Sequence, residues 1–274
     1  MKLSVSMVRP LVSVLALSLV AGTAFALPPD TKDPRVIMRA ASANNGGERS
    51  KGRMKMTIRD PSGVRERTLV NRSLRVAGGH KTLIWIESPA DVRGTGFLGI
   101  DYDAGSRTDE QWLYLPKLRR VARVPSSGKS DAFIGSDFSY ADLSQQDPED
   151  FELKLLNPSV TVGGEECWLI ELMPRSPRIA EESGYDKTEV WISKSKVVPI
   201  QFKAALKGGE KTKYWKASDF RQVDGIWAPH RMQMRTVKGD ALESETIIEI
   251  SELSHSAPDV TDDLFTQQRL ERGL

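Results

Sequence analysis

Beyond residue 50 the apolar side chains recur with a period of two, in runs rich in β-branched and aromatic residues that Gly, Pro, Asp and Ser interrupt at short intervals. Such runs occupy 52–60, 65–77, 81–88, 94–102, 109–116, 118–124, 151–156, 167–174, 187–194, 198–206, 211–220, 228–237 and 243–253. The breaks between them, such as "DPSG", "AGG", "VGG" and "KGG", are too short for crossover helices, so neighbouring strands must run antiparallel. A sheet of ten or more strands accumulates twist and curls, which predicts a mainly β (α+β) domain built as one highly curved meander.

Several runs are apolar on both faces. Leu83 and Trp85 point one way and Ile84 and Ile86 the other; Trp112 and Tyr114 alternate likewise with Leu113 and Leu115. Such strands are either covered on both sides or line a cavity. Ahead of the sheet, Asp33, Pro34 and the later Gly46-Gly47 predict a short capped helix over Pro34–Ala43, with Val36, Ile37, Ala40 and Ala41 as its apolar stripe. "MPRSPRIAEESGYD" (173–186) reads as a loop or hairpin excursion.

The first 26 residues stand apart from this pattern. Lys2 and Arg9 precede an apolar run from Leu11 to Ala21 and the tripeptide Ala24-Phe25-Ala26, which predicts an export signal cleaved after Ala26 and a periplasmic product. The run is too short to cross about 30 Å of hydrocarbon. Cleavage leaves one domain, 27–274, with 37 Lys and Arg against 37 Asp and Glu, a balance that excludes a basic face for nucleic acid. The single cysteine, Cys167, sits in an apolar strand and reads as a buried structural thiol.

Catalytic signatures are missing. His80, His230 and His255 stand far apart with no ligand at a metal-site spacing, so neither a metal nor another cofactor is expected. No nucleophile elbow or phosphate loop occurs, and "GTGFLG" (94–99) lies in strand, where it predicts a bend or bulge rather than a pyrophosphate site. The expectation is a protein that is not an enzyme.

The segment "FIGSDFSYADL" (133–143) follows the cationic run "KLRRVAR". Its residues suggest a clamp in which Phe133, Phe138 and Tyr140 plug the curled sheet while Arg119 and Arg123 fasten its rim to Asp137 and Asp142. The stretches "SPADVRGTGFLGIDYD", "EQWLYLPKLRRVARV", "FIGSDFSYADL" and "DDLFTQQRLERG" together resemble the periplasmic outer-membrane lipoprotein-sorting proteins of the LolA-like superfamily. That resemblance implies an unclosed antiparallel barrel wrapped over a few helices, with an apolar interior that carries the acyl chains of a lipoprotein or lipid. It implies an outer-membrane acceptor, and its branch resembles partners of inner-membrane RND-type exporters, so a module that docks on such a complex is the alternative. A monomer is expected. Under the carrier reading, Trp85, Phe97, Trp112, Tyr114, Phe133 and Phe138 are the expected cavity lining.

Overall fold

The computed structural model describes residues 27–44, 46–103 and 108–273; the stretch expected to be an export signal, 1–26, lies outside the described residues. In chain order the elements are α1 (Pro34–Ala43), β1 (Arg49–Asp60), β2 (Gly63–Val76), β3 (Gly79–Ser88), β4 (Gly96–Tyr102), β5 (Glu110–Leu115), β6 (Arg120–Arg123), β7 (Phe151–Val162) and β8 (Glu165–Pro174). They continue with α2 (Pro177–Ser183), β9 (Tyr185–Ser193), β10 (Pro199–Leu206), β11 (Lys211–Val223), β12 (Ile226–Lys238), β13 (Ala241–Ser254) and α3 (Gln267–Arg272). All thirteen strands form a single antiparallel sheet, as the short breaks require.

The order across the sheet is β6-β5-β4-β3-β2-β1-β13-β12-β11-β10-β9-β8-β7, which is not one meander. The chain starts at the centre, runs outward to β6, and then reappears at the opposite edge as β7 before returning to close β13 onto β1. Residues 124–150 must therefore cross from edge to edge. They do so over the inner face, where the ring of Phe133 packs against Phe97.

The helices divide the work of covering the sheet. Asp33 Oδ1 accepts from Arg35 N (2.8 Å) and caps α1, Pro34 supplies a first-turn residue without an N–H, and Ile37 and Ala41 bury against Trp168, Ile170 and Ile192. Val36, expected in the buried stripe, is exposed, because only one turn-to-turn row of this short helix meets the sheet. The segment 173–186 is not a bare loop. Ser176 Oγ accepts from Ile179 N, and α2 runs to Gly184, whose left-handed φ of 76° ends it.

On the outer face, Val260, Phe265 and Leu270 of the C-terminal segment pack on Leu83, Trp85 and Leu98. The doubly apolar strands β3 to β5 are thus covered on both sides. Gly96 makes the outer packing possible: a Cβ there would stand 2.7 Å from Leu270 Cδ1 and 3.0 Å from Trp85 Cδ1. Cys167 is fully buried, and that burial pushes its thiol up to about 11, as for an inert core thiol.

Candidate functional site

The crossing segment is pinned to the inner face at three places. Residues 131–140 double back as a small hairpin, with an Ala132–Ser139 bridge and Phe133 N donating to Phe138 O at 2.7 Å. Its tip carries Ile134 and Gly135 in left-handed conformation, and Arg67 Nη1 donates to the Ile134 carbonyl. Asp137 is buried and accepts from Thr236 Oγ1 (2.6 Å), Thr246 Oγ1 (2.6 Å) and Ser244 Oγ, while its own N–H donates to Thr246 Oγ1 at 2.9 Å. These bonds tie the segment to β12 and β13.

Asp142 ties it further along the sheet, to β9 and β11. Tyr185 Oη donates to Asp142 Oδ1 at 2.7 Å, and Lys213 Nζ lies 3.4 Å from both Asp142 Oδ2 and Tyr185 Oη. Ser139 N donates to Asp142 Oδ2 and Asp142 N to Ser139 Oγ, closing a local cap. Burial, reinforced by the neighbouring Asp142 charge, holds the Tyr185 hydroxyl well above the usual tyrosine range. At the third place, Gln111 Nε2 donates to Tyr140 O and Ser144 Oγ.

The expected arginine clamp does not form. Arg119 follows a 3-10 turn in left-handed conformation, outside β6, and is exposed. Arg123 pairs across the strand from Trp112, whose side chain belongs to the outer face, and its nearest carboxylate is Glu110 at 3.6 Å. Strand alternation therefore leaves the whole sheet between this cation and the two inner-face aspartates.

The six rings expected to line one cavity fall on two faces. Phe97, Phe133 and Phe138 sit together in the inner core, with Phe97 and Phe133 edge to face at 5.8 Å. Trp85, Trp112 and Tyr114 belong to the outer cluster under the C-terminal segment. Of the six, Phe138 borders open space.

That space lies between the two inner-face covers, α1 and the crossing segment. Two adjoining hollows of ≈ 230 and ≈ 280 Å³ meet at Pro199, Phe202 and Trp215. Phe202 and Trp215 stack at 5.5 Å, and Tyr185 lies 6.4 Å from Phe202. One hollow runs under α1 along Met38, Leu172 and Val190; the other reaches Met232, Phe220 and Trp227. Lys196 Nζ sits over the last two rings at 5.9 and 5.3 Å, held by Glu165. A larger cavity of ≈ 490 Å³ is polar: it holds the Lys129–Glu182 pair and Asp109 and Asp150, whose carboxyls burial pushes up. Its charged walls do not suit hydrocarbon.

Sequence reasoning missed Phe202, Trp215, Phe220 and Trp227. The alternation in "QFKAAL" and "KYWKASDF" gives a face to Phe202 and to Trp215, but Phe220 falls five residues after Trp215, out of that alternation, beyond Asp219 with its left-handed φ of 53°. Among the described residues no group of His, Cys, Asp and Glu could hold a metal ion, and no helix is long and apolar enough to cross a membrane.

A family model described as that of an uncharacterized protein matches residues 78–272. A solved domain from Vibrio parahaemolyticus, described as an outer-membrane lipoprotein-sorting protein, is 29% identical, with a TM-score of 0.78 over 87% of this chain and 98% of its own. The chain belongs to the family of that model, and its fold is LolA-like. Two further solved structures share the fold. A DUF1329 family protein from Desulfovibrio piger is 24% identical (TM-score 0.78, 87% of this chain, 99% of its own), and a LolA superfamily protein from Nitrosomonas europaea is 17% identical (TM-score 0.65, 87% and 99%). Curated proteins give no match. In LolA-like terms, the open sheet is the unclosed barrel and α1 with the crossing segment is what it wraps.

Proposed function

We propose that this protein carries lipid or lipoprotein cargo across the periplasm, sheltering an acyl chain in the hollow around Phe202 and Trp215. The observation that supports this reading most is the uncovered strip of inner face between α1 and the crossing segment, an apolar space with stacked aromatic walls. Together the two hollows fall within the range of about 300–1,000 Å³ typical of ligand sites. At about 0.8 kcal/mol per buried methylene, a chain of about sixteen carbons gains at most ~12 kcal/mol on leaving water. Such a ligand needs an apolar sleeve and little polar recognition.

In this reading the working chain is one domain, 27–274, released after Ala26, and it performs no chemical step on its cargo. The lipoprotein-sorting description of the Vibrio domain favours an acylated cargo over other hydrophobic molecules. Phe202, Trp215, Met232 and Phe138 line the sleeve, as do Trp227 and Phe220 beneath Lys196. Aspartates 137 and 142 hold the sleeve's wall in place rather than touching cargo.

The test is native purification followed by solvent extraction and mass spectrometry, with titration of a spin-labelled fatty acid monitored by Trp215 quenching. Stoichiometric acyl lipid and saturable quenching support the proposal. An extract free of acyl lipid, together with no quenching, defeats it.

A further inference from the structure

The sheet is open, so it has two free edges, and they are unlike. β6 is four residues long. β7 spans twelve, and among the described residues no strand pairs with its outer side. Its far half is blunted: the pairing with β8 shifts after Leu155 and again after Asn157, and Pro158 lacks a donor. The near half, Phe151 to Leu155, is regular.

Hydrogen-bond parity sets which groups face outward there. Arg175 N donates to Asp150 O at 2.9 Å, so residues 150, 152 and 154 bond toward β8. Leu153 and Leu155 consequently turn their N–H and C=O groups to the free side. Glu152 and Lys154, exposed on the outer face, flank Leu153, and among the described residues neither has an ion-pair partner. Leu156 and Met173 add exposed apolar surface on the same face.

We infer that β7 is the seam of a homodimer in which a second copy of this chain pairs antiparallel through the same strand. A two-fold axis through Leu153 places Leu153 opposite itself, Phe151 opposite Leu155, and Glu152 opposite Lys154 in both directions. The segment "FELKL" (151–155) is thus its own complement in charge and in apolarity; Phe151 already donates its N–H to Pro148 O and accepts from Arg175 Nε (2.9 Å), so the free backbone groups of the seam are those of Leu153 and Leu155. Leu153 exchanges two backbone hydrogen bonds with its copy. The two sheets become continuous, and the hollow around Phe202 lies on the inner face of each, unobstructed by the seam. A strand from an unrelated protein would satisfy the backbone but has no reason to match this charge order.

Sedimentation velocity and light scattering on the purified protein test it. Wild type should show a concentration-dependent dimer below about 100 µM. Glu152→Lys or Lys154→Glu alone sets like charges opposite each other twice and should raise the dissociation constant roughly tenfold. The double exchange should restore wild-type association, while the melting temperature of all three variants stays unchanged. A protein that remains monomeric throughout, or a dimer indifferent to both single reversals, overturns the proposal.

Discussion

Replacing Asp137 by Ala removes the acceptor that binds the crossing segment to β12 and β13. Three hydroxyl donors converge on this carboxylate, from Thr236, Ser244 and Thr246, and Thr246 is wholly buried. Hydrogen bonds to a charged group contribute about 1.5–3 kcal/mol each, and the desolvation of the carboxylate offsets several kcal/mol of that sum. With the hydroxyls left without an acceptor, the net loss should be about 3–5 kcal/mol, a large fraction of the ~5–15 kcal/mol that stabilises a typical domain. Asp137→Asn keeps one acceptor oxygen and should lose about half as much. Guanidinium unfolding followed by tryptophan fluorescence measures both, with Arg119→Ala and Arg123→Ala as controls expected within about 0.5 kcal/mol of wild type. An Ala variant within about 1 kcal/mol of wild type would refute the anchoring role, as would an arginine control that costs as much as the aspartate.

Three further outcomes follow from the same geometry. Gly96→Ala should cost about 1–3 kcal/mol in the same unfolding assay, because its Cβ meets Leu270 and Trp85 in a packed cluster. Thr188→Phe places a ring in the hollow beneath α1 and should weaken fatty-acid quenching roughly tenfold while leaving the melting temperature near wild type. Because the folded Cys167 thiol titrates near 11, above its ordinary value of 9.0, its contribution is intact below pH 9 and is lost as pH rises toward 11. The difference in melting temperature between wild type and Cys167→Ala should therefore shrink across that window, and a constant difference from pH 8 to pH 11 would contradict the burial of the thiol.

All thirteen strands could be read from the chain, as could the Asp33 cap and the extent of α1, because alternation, turn residues and capping are local properties written into neighbouring positions. Phe133 and Phe138 are buried together on the inner face. Strand order was not legible, since nothing local tells β6 that its successor lies at the far edge or β1 that it will pair with β13. From that order follow the crossing segment, the partners of Asp137 and Asp142, and the separation of Trp85, Trp112 and Tyr114 from Phe97. A period of two says that a side chain points to one face or the other; it does not say which face is concave or which stretch of it remains open. The uncovered strip around Phe202 and Trp215 exists because two covers brought together from distant parts of the chain stop short of each other. Their separation is a property of packing in three dimensions, which sequence periodicity cannot encode.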